Sequence, residues 1–180
     1  MKTSDLYLDI MAKLKAHQRP LLKLTPELIE ELSIDWQKAL NEPIDKQGLL
    51  EILCILDNTQ NTSNAFNELF IITFEKCTHS DQLIHALAAS QKHLVAQSLK
   101  SGVMLPQAYF DCLKNLLKNK NPEVIEWTLR TIEAMGPLSL RLKLEVRAAK
   151  PGLTKFFNPH QKSAAQIIEL LEKQWERMLL

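Results

Sequence analysis

Asn121-Pro122-Glu123-Val124-Ile125-Glu126-Trp127-Thr128-Leu129-Arg130-Thr131-Ile132-Glu133-Ala134-Met135-Gly136 reads as one complete amphipathic helix. Asn121 offers a side-chain acceptor to an orphan amide of the first turn, and Pro122 fills the position where no donor is needed. Val124, Thr128, Ile132 and Met135 recur at the three- and four-residue steps of a single buried face. Gly136 then supplies the left-handed conformation that closes a helix. Start, stripe and stop agree, and they set the grammar for the rest of the chain.

Working towards the N-terminus, Pro106 opens a helix to about Lys118 with Tyr109, Phe110, Leu113, Leu116 and Leu117 turned inward. Residues 78–101 are helical in pattern and close at Gly102, either as one helix or as two broken near Ser90, with two short ones preferred. Residues 63–76 and the helix opened by Asp45 are apolar around most of their circumference and are expected at the centre of the core. The polar link 58–62 between them reads as a surface turn. Thr25-Pro26 starts a helix to about Leu40, and Thr3 or Ser4 is expected to cap one that ends before Pro20.

Towards the C-terminus, residues 137–147 alternate apolar and polar, which alone is a strand signal. A lone strand has no partner for its backbone groups, and leucine is a strong helix former, so a helix is expected. Leu138, Leu142, Val146 and Ala149 then form one stripe, Leu140, Leu144 and Ala148 a second, and Lys143, Arg147 and Lys150 share the remaining face. Asn158-Pro159 opens the last helix, with Ala164, Ile167, Ile168, Leu171, Trp175, Met178 and Leu179 on one side.

Composition agrees with an all-α fold. Four glycines and 6% aromatic residues in 180, beside abundant Leu, Ala, Glu, Gln and Lys, favour helices over strands. One domain spanning 1–180 is expected from the length. The longest apolar run, residues 49–56, is interrupted by Glu51 and falls well short of the roughly 20 residues that cross a bilayer. No membrane insertion and a cytoplasmic location follow as expectations. Cys54, Cys77 and Cys112, odd in number and set in apolar stretches, read as small buried hydrophobes. The net charge of +1 hides an asymmetry. Residues 1–99 carry 9 basic and 13 acidic side chains, and residues 100–180 carry 13 and 8.

Asn-Pro openers at 121 and 158 lie 37 residues apart, as do the capping threonines 25 and 62. Asn121, Pro122, Val124, Thr128, Ile132 and Met135 resemble the first helix of a HEAT repeat. The tract departs from that pattern at Ile125, where a basic residue is usual. The second copy keeps Lys162 and Ala165 but has Gln161 in place of Val. The motif matches well over 121–150 and in part over 158–175, and the resemblance, with repeats clearest over 105–180, implies a HEAT-like or armadillo-like α-solenoid, a right-handed α-α superhelix of about 8 to 10 helices. An irregular helical bundle with two Asn-Pro caps is the alternative.

No catalytic constellation stands out. Cys77, His79, His85 and His93 lack the close paired spacing of a structural zinc site. The glycine-poor chain has neither a nucleophile elbow nor a phosphate loop. Glu27, Glu30, Glu31 and Asp35 read as the solvated face of one capped helix. Trp127 with Glu123, Glu126 and Arg130 admits a remote resemblance to HEAT-like DNA glycosylases, although the net acidic N-terminal half lacks the basic groove that activity needs.

The expected function is therefore a non-enzymatic scaffold or adaptor, without cofactor or metal. It binds a protein partner through Lys143, Arg147, Lys150 and Lys155, which the resemblance places on the concave side of the C-terminal half. Nucleic-acid binding through the same cations is the alternative.

Overall fold

Short polar side chains at the helix starts set the element boundaries. The computed structural model describes residues 2–152 and 157–178. Thr25 Oγ1 accepts from the Leu28 amide at 3.3 Å and Asp45 Oδ1 from the Gly48 amide at 3.0 Å, opening α2 (Pro26–Ala39) and α3 (Lys46–Asp57). Asn121 Oδ1 accepts from Glu123 N at 2.9 Å to begin α8 (Pro122–Ala134). Asn158 repeats the arrangement at α10 (Pro159–Met178) with the His160 and Gln161 amides.

α1 (Thr3–Lys15) starts without a side-chain cap at Lys2, and the Thr3 hydroxyl donates to Asp35 of α2 at 2.6 Å instead. The remaining elements are a 3-10 turn (Asn64–Phe66) running into α4 (Asn67–Lys76), α5 (Ser80–Ser90), a π-helical turn (Gln91–Ala96), α6 (Gln97–Ser101), α7 (Gln107–Leu116), a second 3-10 segment (Gly136–Leu142) and α9 (Lys143–Ala148). The fold is all-α. Among the described residues there is no strand, only a single bridge between Leu22 and Thr59.

Two compact units divide the chain, Met1–Gln97 and Ser98–Leu180. In the first, α3 is the central element and packs against α1, α2 and α5. Leu49, Ile52, Leu53, Ile55 and Leu56 are all buried, as the circumferential hydrophobicity of this helix requires. Trp36, Phe66 and Phe70 fill the space beside them, with the Trp36 and Phe70 rings edge to face at 4.9 Å. The Trp36 indole N–H donates to Thr73 Oγ1 at 2.9 Å, and the Thr73 hydroxyl in turn donates to the Leu69 carbonyl at 2.7 Å.

The link 58–62 is more than a surface turn. Thr59 is buried, Gln60 N donates to the Leu22 carbonyl at 2.6 Å, and Asn61 exchanges two bonds with the Leu24 backbone at 2.7 and 3.0 Å. His93, fully buried in the π-helical turn, closes this node. The Ser63 amide donates to Nδ1 at 3.3 Å, leaving the proton on Nε2 to face the Leu56 carbonyl at 2.9 Å and Thr59 Oγ1 at 3.2 Å. One extra residue per turn at Gln91–Ala96 is the local irregularity that accompanies this inward histidine, and the helical stretch continues through it where a break near Ser90 is expected.

In the second unit α8 packs along α10, and α7 lies against α8. Val124, Leu129 and Ile132 of α8 bury with Ile168, Leu171 and Trp175 of α10. The Trp175 indole donates to Ser139 Oγ at 2.8 Å, a second buried tryptophan-to-hydroxyl bond. Residues 137–147 are helical as expected, but wound as 3-10 as far as Leu142 and α-helical only from Lys143. At three residues per turn the 3-10 part brings Ser139 in line with Leu142. Ser139, Leu142 and Val146 are buried, whereas Leu144 of the expected second stripe is 76% exposed and Ala148 is exposed too. Met178, expected inward, is partly exposed at the end of α10.

Candidate functional site

Lys143, Arg147 and Lys150 owe their placement to the register of α9. Leu142 and Val146 point into the core one turn apart, and the cations occupy the other side of the same short helix and its end. Arg147 Nε donates to Glu172 Oε1 of α10 at 3.1 Å, and Lys150 Nζ lies 3.6 Å from Glu172 Oε2. One carboxylate thus serves two cations. Both remain open to solvent, with side-chain exposures of 47% and 45%. Lys143, half-buried, takes part in no ion pair among the described residues. Lys155 lies outside the described residues.

Neighbouring contacts hold this surface in place. Lys114 of α7 reaches Glu145 of α9 at 3.5 Å and Asp111 of its own helix at 3.7 Å. The Arg141 guanidinium lies 3.8 Å from the Phe110 ring centre and also donates to Gln107 Oε1. Lys118, Lys120 and Lys162 of the same unit are exposed as well.

A second cluster, between α8 and α10, joins Glu126 and Arg130 of the tryptophan group to His160, which the sequence did not connect with them. Glu126, with a side chain only 9% exposed, accepts from Arg130 Nη2 at 2.6 Å and Nε at 3.1 Å, and pairs with His160 Nδ1 at 2.8 Å. Burial pushes the Glu126 carboxyl up, but the Arg130 guanidinium and the His160 ring outweigh it and hold the group below the usual carboxylate range. Trp127, the centre of the glycosylase resemblance, is half-buried with the Arg130 guanidinium 5.9 Å from its ring centre. Glu126 turns towards His160, so its charge is answered within the fold. No local pattern in the sequence hints at this pairing, since Glu126 stands five residues after Asn121 and His160 only two after Asn158.

The other constellations are dispersed. His93 engages both ring nitrogens in the core of the first unit. Among the described residues no group of three or more His, Cys, Asp or Glu side chains is placed to hold a metal ion. Burial, with Glu42 adding to it, pushes the Cys77 thiol up to about 11, which keeps it protonated and unreactive near neutrality. The acidic face of α2 lines a shallow cleft of about 650 Å³ with Lys2 and Lys38. Asp35 there is bonded to Thr3 and Lys38. No described helix is long and apolar enough to cross a membrane. No family model, curated protein sequence or solved structure matches the chain.

Proposed function

We propose that the protein is a non-enzymatic helical adaptor of HEAT-like construction that holds an acidic segment of a partner protein on the face formed by Lys143, Arg147 and Lys150. The observation that carries this reading is the sharing of Glu172 by two half-exposed cations. Three cations against one carboxylate leave the patch positive, within a unit whose formal charge is +5. Exposed ion pairs contribute only about 0 to 1 kcal/mol, so a partner's carboxylates can displace Glu172 at little cost and gain a bidentate hold on Arg147.

The repeat reading draws support from polar ties at nearly constant separation. Leu56 to His93 and Trp36 to Thr73 are 37 residues apart, Ser139 to Trp175 is 36, and Glu126 to His160 is 34. Equivalent positions of successive repeats touch at this interval when repeats stack on one another.

Affinity capture from native lysate tests the assignment. The wild type is compared with the triple reversal Lys143→Glu, Arg147→Glu, Lys150→Glu, each with and without nuclease. The adaptor reading expects a protein recovered by the wild type, surviving nuclease, and lost with the reversal while helical circular dichroism is unchanged. Glu172→Gln frees both cations and is expected to increase recovery. Equal recovery by wild type and reversal removes the site from this face, and loss of all recovery on nuclease treatment transfers it to nucleic acid.

A further inference from the structure

In the first unit a cleft of about 300 Å³ opens beside the loop that carries Glu42, at the start of α3 and the link between α4 and α5. Lys46, Lys76, His79 and Gln82 line it, and Glu42 is the one carboxylate among its described lining residues. With His79 neutral, the lining therefore carries one net positive charge.

Helix geometry adds to that charge. Lys46 is the first residue of α3, and His79 immediately precedes α5, so two helix N-termini border the cleft. Each presents backbone N–H groups and roughly half a unit of positive charge. Asp45 caps α3, whereas His79 makes no side-chain cap bond at α5. Lys76 is held at the cleft by donating from Nζ to the Leu40 carbonyl at 3.2 Å.

Gln82 supplies the independent observation. It lies in the first turn of α5, is 2% exposed, and its Nε2 has no hydrogen-bond partner among the described residues. An unpaired buried amide costs about 1 to 3 kcal/mol, and a glutamine at a core position next to solvated lysines gains nothing that leucine would not supply better. The cost is explained if the carboxamide meets an acceptor that enters the cleft.

We propose that this cleft binds a small oxyanion, the carboxylate or phosphate group of a small molecule. Gln82 and the first turn of α5 are its hydrogen-bond donors, and Lys46 and Lys76 are its counter-charges. The site is separate from the basic face of α9 and does not depend on it.

Amide proton–nitrogen NMR correlation spectra of the full chain test the site. Sodium phosphate and sodium acetate are titrated separately, against sodium chloride at matched ionic strength. Saturable shifts are expected at residues 79–83 and at the Gln82 side-chain amide with phosphate, acetate or both, and the anion that saturates identifies the ligand class. Saturation by neither, or shifts spread evenly over exposed lysines, overturns the site. Lys46→Gln with Lys76→Gln, both exposed positions, is expected to weaken binding by about tenfold or more. Gln82→Leu is expected to weaken binding while raising the melting temperature, since it removes the orphan donor at similar volume. Wild-type affinity in both variants also overturns the proposal.

Discussion

At the scale of single residues, the side chains that hold the chain together most specifically are polar ones in apolar surroundings. His93 is the clearest. Burial lowers its pKa most, the adjacent Lys92 adds to the lowering, and the Leu56 carbonyl and Asp57 oppose it, with the net shift below the ordinary value of 6.5. Neutral His93 is therefore the folded form. As pH falls through about 6.5 the unfolded chain takes up a proton that the folded chain refuses, so stability is lost from there downwards, at up to about 1.4 kcal/mol per pH unit. Urea unfolding between pH 8 and 5 is expected to show this slope, and His93→Leu is expected to flatten it. The same variant is expected to cost about 1 to 3 kcal/mol at pH 8, because it strands the Ser63 amide, whereas the Leu56 carbonyl keeps its bond from the Thr59 hydroxyl. An unchanged slope in the variant would assign the pH dependence elsewhere. None of this was legible in the sequence, where His93 is one histidine among five; its partners are 30 to 37 residues away, and no local pattern reaches that far.

At the scale of elements the reading from sequence succeeds where capping and hydrophobic period act together. Thr25, Asp45, Asn121 and Asn158 all cap the helices they precede, and Gly102 and Gly136 adopt the positive φ values, 69° and 56°, that end a helix. It fails where a tertiary partner outbids the local one, as Asp35 does for Thr3, and where the helix changes its winding. The 3-10 course of Gly136–Leu142, at three residues per turn, brings Ser139 in line with Leu142 and buries it ahead of Leu138, because the expected stripes assumed 100° per residue throughout. Two substitutions check the caps. Asn121→Ala, which leaves the Glu123 amide without its acceptor, is expected to cost about 1 kcal/mol in denaturant unfolding. Gly136→Ala meets nothing within 4 Å, so its expected loss of about 1 kcal/mol is backbone strain alone. If Gly136→Ala is neutral, the left-handed turn is not what stops α8.

At the scale of the molecule, the charge asymmetry visible in the sequence coincides with the structural division. The first unit carries a formal −4 and the second +5, since residues 98 and 99 are uncharged. The basic face was therefore legible as composition and helical spacing, whereas its counter-ion Glu172 was not, lying on another helix 25 residues beyond Arg147. Each unit also has its own buried tryptophan donating to a hydroxyl, Trp36 to Thr73 and Trp175 to Ser139, inside its own apolar cluster. Backbone amides within such a cluster exchange only when that cluster opens. Native-state hydrogen exchange is accordingly expected to show two separate maxima of protection, one over α3 and α5 and the other over α8 and α10. Residues 58–63 belong with the first maximum despite their turn-like sequence, because Thr59 and His93 tie them to the end of α3. Fast exchange at Gln60, whose amide is bonded to the Leu22 carbonyl, would mean that the node opens without the core. A single maximum falling across residues 90–105 would mean that the two clusters are not the cooperative units that their packing defines.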